Sequence, residues 1–254
     1  QESRGLGDVY KRQNYEKIKK WLLLFLVSGS IILLIFFVLK GLTIKQITII
    51  GNKHLSSENI KAVMQVKEGK SIIFPSSRTL SERLMKTPWV KDAVIRKDLS
   101  GTLTVFIKES FPVAISFFNE KAYLIDYDGV VLEDFTEKIK DAEIFLPVIK
   151  NIDPFTNKDT IVSALKIIDF FKQKGFITKS NNVSIYGNNA EDLTLRINDL
   201  SFIVGKGDLE KKFAMLRIVR GEVERRNLKV QYYDLRFPDK VIVKPLERGS
   251  ETFQ

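Results

Sequence analysis

The sequence predicts an α+β protein: one membrane-crossing helix, then a small β-α-α-β-β module, then a mixed, mainly antiparallel β domain carrying two helices. Three observations lead there. Residues 21–39, WLLLFLVSGSIILLIFFVL, carry no charge. Leu103, Val105 and Ile107 repeat with a period of two, the mark of a half-buried strand. Two later segments, 160–174 and 209–226, place apolar residues on one stripe at helical spacing.

The uncharged run comes first. At about 1.5 Å per residue a helix over 21–39 is about 28 Å long, close to the ~30 Å hydrocarbon core of a bilayer. Only Ser28, Gly29 and Ser30 interrupt its apolar surface, and Trp21 stands at one end, where an amphipathic ring favours the interface. The expected membrane-anchor residues are Trp21, Leu22, Phe25, Ile31, Phe36 and Leu39. A cleaved signal peptide would have a shorter apolar run followed by a small-x-small site. KGLTIKQ follows instead, so the segment is expected to stay attached. Arg4, Lys11, Arg12, Lys17, Lys19 and Lys20 before the span outweigh Lys40, Lys45 and Lys53 after it. That bias places residues 1–20 as a short cytoplasmic tail and the remainder outside the cytoplasm. Gln1 in place of methionine suggests a truncated or non-native start, and residues 1–13 are read for their charge alone.

The small module is expected over 43–112. TIKQITIIGN reads as a strand with Ile44, Ile47 and Ile49, ending at Gly51-Asn52. Ser56 or Ser57 can cap a helix bearing Ile60, Val63 and Met64. A second short helix spans Thr79 to Lys86 with Leu80 and Leu84 inward, and Pro88 ends it. TPWVKDAVIRKDLSGTLTVFIKESFPVA then forms a hairpin turned at Ser100-Gly101 and stopped by Pro112, which has no amide hydrogen for a ladder.

The second domain is expected over 113–245, with a flexible tail at 246–254. Strands are predicted at 113–118, 122–126, 129–132, 193–197, 200–204, 231–235 and 240–244, with turns at Phe118-Asn119, Asp128-Gly129, Gly187-Asn188 and Asn198-Asp199. The first helix, Thr160–Lys174, turns Ile161, Leu165, Ile168 and Phe171 inward and stops at Gly175. The second, Leu209–Arg226, is capped by Asp208 and turns Phe213, Leu216, Val219 and Val223 inward. Arg217, Arg220, Arg225 and Arg226 occupy its polar side and last turn, where cations suit the helix dipole.

Composition removes several function classes. The absence of cysteine excludes disulfides, thiolate metal sites and cysteine nucleophiles, and His54 is the sole histidine. The net charge of +10 would suit nucleic acid or an anionic surface, yet 41 basic residues are scattered among 31 acidic ones without a dense stripe in the second half. Nucleic acid is therefore not an expected partner. Asp126-x-Asp128-Gly129 lacks the other ligands of a calcium loop and reads as a turn. Gly205 and Gly207 in VGKGDLEKK lack the spacing of a phosphate loop and read as a strand-to-helix turn. His54 reads as a solvent-exposed or capping residue. Asn182-Val183-Ser184 matches a glycosylation pattern short enough to arise by chance. No convergent set of polar groups suggests catalysis, so no catalytic, metal or cofactor residue, no cofactor and no small-molecule substrate is expected.

The order of parts resembles the bacterial cell-division family FtsQ, called DivIB in Gram-positive bacteria, over residues 15–245. The most specific pieces are Pro88-Trp89-Val90-Lys91, Leu103-x-Val105-x-Ile107-x-Glu109-x-x-Pro112, Ile125-Asp126-x-Asp128-Gly129 and Asp234-Leu235-Arg236. Ser100 stands where the family often has proline, and Ser110 replaces a frequent arginine. The resemblance implies a POTRA domain for the small module, a β domain after it, and a non-enzymatic scaffold role at the division septum. It implies a single-pass protein of the cytoplasmic (inner) membrane that binds FtsB/DivIC-like and FtsL-like bitopic proteins and other divisome proteins, and helps control septal peptidoglycan synthesis. A final strand without a successor is expected at a sheet edge, open to strand addition. Matched to the family, the partner-binding residues are Tyr233, Arg236, Phe237, Lys240, Val241, Ile242 and Val243. Two other functions compete. A POTRA module of an outer-membrane assembly or secretion system would need a following barrel of many alternating strands. A membrane-tethered wall enzyme would need a paired-carboxylate or nucleophile site.

Overall fold

The structure, a computed structural model, describes residues 3–140 and 145–246, with side chains of the first helix described from Lys19 to Val38. The side chain of Leu39 and all of the expected tail beyond Leu246 lie outside the described residues. The chain divides into two compact units, Gln1–Glu109 and Ser110–Gln254.

The first unit begins with helix α1, Ser3–Gly41, of which Lys19–Val38 is long and apolar enough to cross a membrane and is 0% buried. An apolar surface left bare along its whole length is what a helix solvated by lipid presents. Trp21, Leu22, Phe25, Ile31 and Phe36 are all exposed on it. There follow β1 (Gln46–Ile50), α2 (Ser57–Met64), α3 (Ser77–Met85), β2 (Val90–Lys97) and β3 (Thr102–Glu109). The sheet order is β1-β3-β2, with β1 parallel and β2 antiparallel to β3. Serines start both short helices: Ser56 Oγ accepts from Asn59 N and Ser76 Oγ from Thr79 N, each at 3.1 Å. Ile60, Met64, Leu80 and Leu84 pack on Leu103, Val105 and Ile107, the alternate residues that the sequence marks as inward.

At the far end of that sheet, Glu109 is buried and accepts from the backbone of His54 at 2.8 Å and of Leu55 at 3.0 Å. Burial alone would raise its pKa. The converging amides of His54, Leu55 and Lys53, with the nearby imidazole, outweigh that and hold the carboxyl below its usual range. His54 is solvent-exposed, as expected, and its ring stacks on Trp89 at 3.7 Å between centroids and 16° between planes. Gly51 closes the same corner at φ +95°; a β-carbon there would lie 2.1 Å from the Ile107 carbonyl oxygen.

The second unit holds β4 (Ala114–Phe118), β5 (Lys121–Ile125), β6 (Val131–Asp134), β7 (Val148–Lys150), α4 (Lys158–Gln173), β8 (Val183–Tyr186), β9 (Thr194–Ile197), β10 (Leu200–Ile203), α5 (Leu209–Arg225), β11 (Val230–Asp234) and β12 (Ile242–Pro245). Among the described residues these strands form one sheet in the order β12-β11-β10-β9-β8-β7-β4-β5-β6. The pairs β10/β11, β7/β8 and β4/β7 are parallel and the rest antiparallel. The mixed, mainly antiparallel sheet with two helices is the predicted one, but β7 and β8 are additions to it. The predicted strand at 240–244 also begins later, at Ile242, leaving Lys240 and Val241 in the approach to it.

Helices α4 and α5 meet over a cluster of rings. Phe171 contacts Phe202 at 5.1 Å and Phe176 contacts Phe213 at 5.0 Å, both edge to face. Asp208 caps α5 by accepting from Glu210 N and Lys211 N, as its sequence position suggests. Asn157, before α4, makes no such side-chain bond. The fragment at 126–129 is a turn: Asp126 Oδ1 accepts from Asp128 N at 3.0 Å and Val130 N at 2.8 Å. The glycine pair before α5 also serves structure, since Lys212 Nζ fills that turn by donating to the carbonyls of Val204 at 2.6 Å and Lys206 at 2.5 Å.

Candidate partner-binding edge

β12 is the outermost strand at one margin of the nine-stranded sheet. It pairs antiparallel with β11 through Asp234↔Ile242, Tyr233↔Val243 and Tyr232↔Lys244, with a bulge between Val230 and Tyr232. Its other side faces no further strand among the described residues, so it offers backbone donors and acceptors to an incoming chain. Pro245 contributes no donor, and Leu246 N returns to Lys229 O at 2.8 Å, so the usable edge is short.

The segment that delivers the chain to this edge is fixed by the DLRF stretch. Leu235 is buried and its amide donates to Ile203 O at 2.8 Å. Arg236 grips the buried Asp234 carboxylate with two parallel bonds, Nη2 to Oδ2 at 2.6 Å and Nε to Oδ1 at 3.0 Å. Its guanidinium hydrogen bonds are the largest influence holding the Asp234 carboxyl below its usual range, against the opposing effect of burial. Gly205, at φ +62°, makes room: a β-carbon there would sit 2.6 Å from Arg236 Cγ. The pair fixes the direction in which the chain leaves β11.

The residues singled out from the sequence divide three ways. Ile242 is 40% exposed, and Phe237 and Lys240 are exposed beside it, the Lys240 ammonium lying 5.0 Å from the Phe237 ring centroid. Val241 and Val243 are half-buried against the core, so the strand turns the other face, Ile242 and Lys244, to solvent. Tyr233 is 3% exposed and stacks on Phe202 at 5.6 Å; its side chain supports β11 from inside and is not on the surface. Arg236 is half spent on Asp234 and half exposed. The structure adds a flank that sequence reasoning missed. A groove beside β12 is lined by Ile218, Arg225, Arg226, Leu228, Val243 and Pro245. Ile218 lies off the inward stripe of α5 and is exposed, and an apolar residue out of phase with that stripe was its one signal.

No three of the histidine, aspartate and glutamate residues come together as metal ligands among the described residues. The arrangement offers backbone, apolar and cationic groups, which suit recognition of a polypeptide.

The sequence model for the FtsQ-type POTRA domain matches residues 42–110, and that for the FtsQ/DivIB C-terminal region matches residues 117–236. The second match ends at Arg236, just before the exposed approach to β12. A cell division protein FtsQ of Geotalea daltonii is 27% identical over 201 residues, covering 76% of this chain and 72% of that one. A cell division protein DivIB of Clostridium botulinum is 24% identical over 238 residues, covering 89% of this chain and 91% of its own. A DivIB of Clostridium acetobutylicum is 32% identical over 90 residues, 35% of this chain and 36% of the other. With the FtsQ-type POTRA model and the FtsQ/DivIB C-terminal model together matching most of its length, the chain belongs to the FtsQ/DivIB family.

Proposed function

We propose that this protein is a single-pass, non-enzymatic scaffold of the division site that captures small bitopic divisome proteins of the FtsB/DivIC and FtsL type by strand addition at β12. Family membership supports the role at the septum, and the single apolar helix supports attachment to the cytoplasmic membrane. The observation that carries the mechanism is the position of β12: an outermost strand whose exposed side has no neighbour among the described residues. A partner strand there would gain ladder bonds from β12, with selectivity from Ile242, Phe237, Lys240 and the free side of Arg236. Through this contact the complex would bear on septal peptidoglycan synthesis without chemistry of its own.

The test is capture of an FtsB/DivIC-type partner from detergent extracts. Ile242→Pro removes the amide donor of the first residue of β12, which should dislodge the strand and abolish co-purification. Phe237→Ala with Lys240→Ala leaves the ladder intact and should weaken capture while circular dichroism stays unchanged. Undiminished capture by both variants would sink strand addition.

A further inference from the structure

The end of the first unit nearest the span carries exposed apolar side chains that its own core does not use. Leu42 follows directly on Gly41, the last residue of α1, and its carbonyl accepts from Ile72 N at 3.0 Å. Ile44 N donates to Lys70 O at 2.8 Å, Gly69 N to Ile44 O at 2.7 Å, and Lys45 N to Gly101 O at 2.8 Å. Two loops, 69–75 and 98–101, are thereby bound to the segment that leaves the span. Phe74 on the first is 72% exposed and Leu99 on the second is 74% exposed. Lys45, Lys67 and Lys70 are exposed on the same segments, against Glu68 and Asp98. Asp98 is turned to its own loop, where its carboxylate accepts from Ser100 N at 2.8 Å. Lys97 braces the two loops by donating to the carbonyls of Ile73 and Pro75.

Chain length keeps this cluster near the bilayer. From Gly41 to Lys45 the backbone can extend at most about 14 Å, while the headgroup region adds roughly 6 Å beyond the hydrocarbon core on each side. We infer that this end of the POTRA module docks on an anionic bilayer surface. Phe74 and Leu99 enter the boundary between headgroups and acyl chains, and Lys45, Lys67 and Lys70 lie against the headgroups. Apolar side chains ringed by lysines are the composition that interfacial elements share. Docking would hold the module against the membrane and limit its swing about residues 41–42. The inference rests on α1 crossing a bilayer and is independent of the β12 edge.

The absence of cysteine makes a direct test simple. Single nitroxide labels on Phe74→Cys, Leu99→Cys, Ile32→Cys in the span and Lys53→Cys at the opposite end of β1 are read in the full chain. The chain is reconstituted in nanodiscs of phosphatidylglycerol and phosphatidylcholine, and collision with oxygen is compared with collision with an aqueous nickel complex. Labels at 74 and 99 should favour oxygen several-fold, as at 32, while 53 favours nickel. Lys45→Gln with Lys70→Gln should lower the docking equilibrium constant by about fivefold per lysine. A lipid-buried label at 32 with 74 and 99 as open to nickel as 53 overturns the docking. A nickel-accessible label at 32 overturns the span itself. Docking unchanged by the double substitution overturns the assignment to anionic headgroups.

Discussion

Glu109 shows how a single side chain can fix a corner of the POTRA module. Its carboxylate gathers the amides of His54 and Leu55, and Trp89 stacks on His54 just outside. Replacing it with alanine strands two backbone donors, and Glu109→Ala should cost about 2–3 kcal/mol. Urea unfolding followed by the fluorescence of Trp89 measures this, with Trp21 as a constant background. The pH dependence has a definite sign. The folded carboxyl titrates below its unfolded value, so the stabilisation is complete above the usual glutamate range and fades as pH falls through the depressed folded pKa. Glu109→Gln should flatten that acid limb. A limb of unchanged steepness would mean that other carboxylates, such as Asp234, carry it. Nothing in the sequence announced this role for His54, because a ring stacked on a tryptophan 35 positions away needs the fold to exist first.

At the scale of elements, the aromatic cluster under α4 and α5 is where the β domain concentrates its packing. Phe171 is 1% exposed and its ring meets those of Phe202, Phe213, Phe176 and Phe170. Phe171→Ala should lower stability by about 3–5 kcal/mol. A loss below about 1 kcal/mol would mean that the neighbouring rings close the cavity. Both helices were legible because a stripe of apolar residues at helical spacing is a local pattern. The strands the sequence hid are instructive by contrast. β7 is three residues long, and Ile149 is completely buried between parallel neighbours β4 and β8. So short a strand, held by partners far along the chain, has no alternation to display. β8 passed unnoticed for the same reason, since VSIY stands among asparagines and a glycine that read as loop. The late start of β12 has a related cause: Ile242 is the first residue to pair with β11, opposite Asp234, and where pairing begins depends on a partner strand that local propensity does not contain.

For the whole molecule, the proposed topology sets the amino terminus inside the cell and the chain beyond Gly41 outside the cytoplasm. Protease added to intact spheroplasts should degrade the chain beyond Gly41 and spare the leading segment. A fluorescent fusion should gather at mid-cell, and depletion should yield filaments. Protection of the large portion, or uniform membrane labelling with normal division, would reject the role. The order of units was readable because each begins with a change of pattern, from uncharged run to alternation to amphipathic stripe. The proposed partner edge was readable only as the last strand of the sequence. Its exposed residues, its buried Tyr233 and the groove along α5 required the sheet order to be known.

The brevity of β12 has a further effect on solubility. An open margin is a standing invitation for two identical molecules to zip together, yet this one runs only from Ile242 to a proline. Lys240 and Lys244 bracket it, so a second copy arriving at the same margin would gain few rungs and meet like charge. Self-association is thereby discouraged with no strand covering that margin among the described residues.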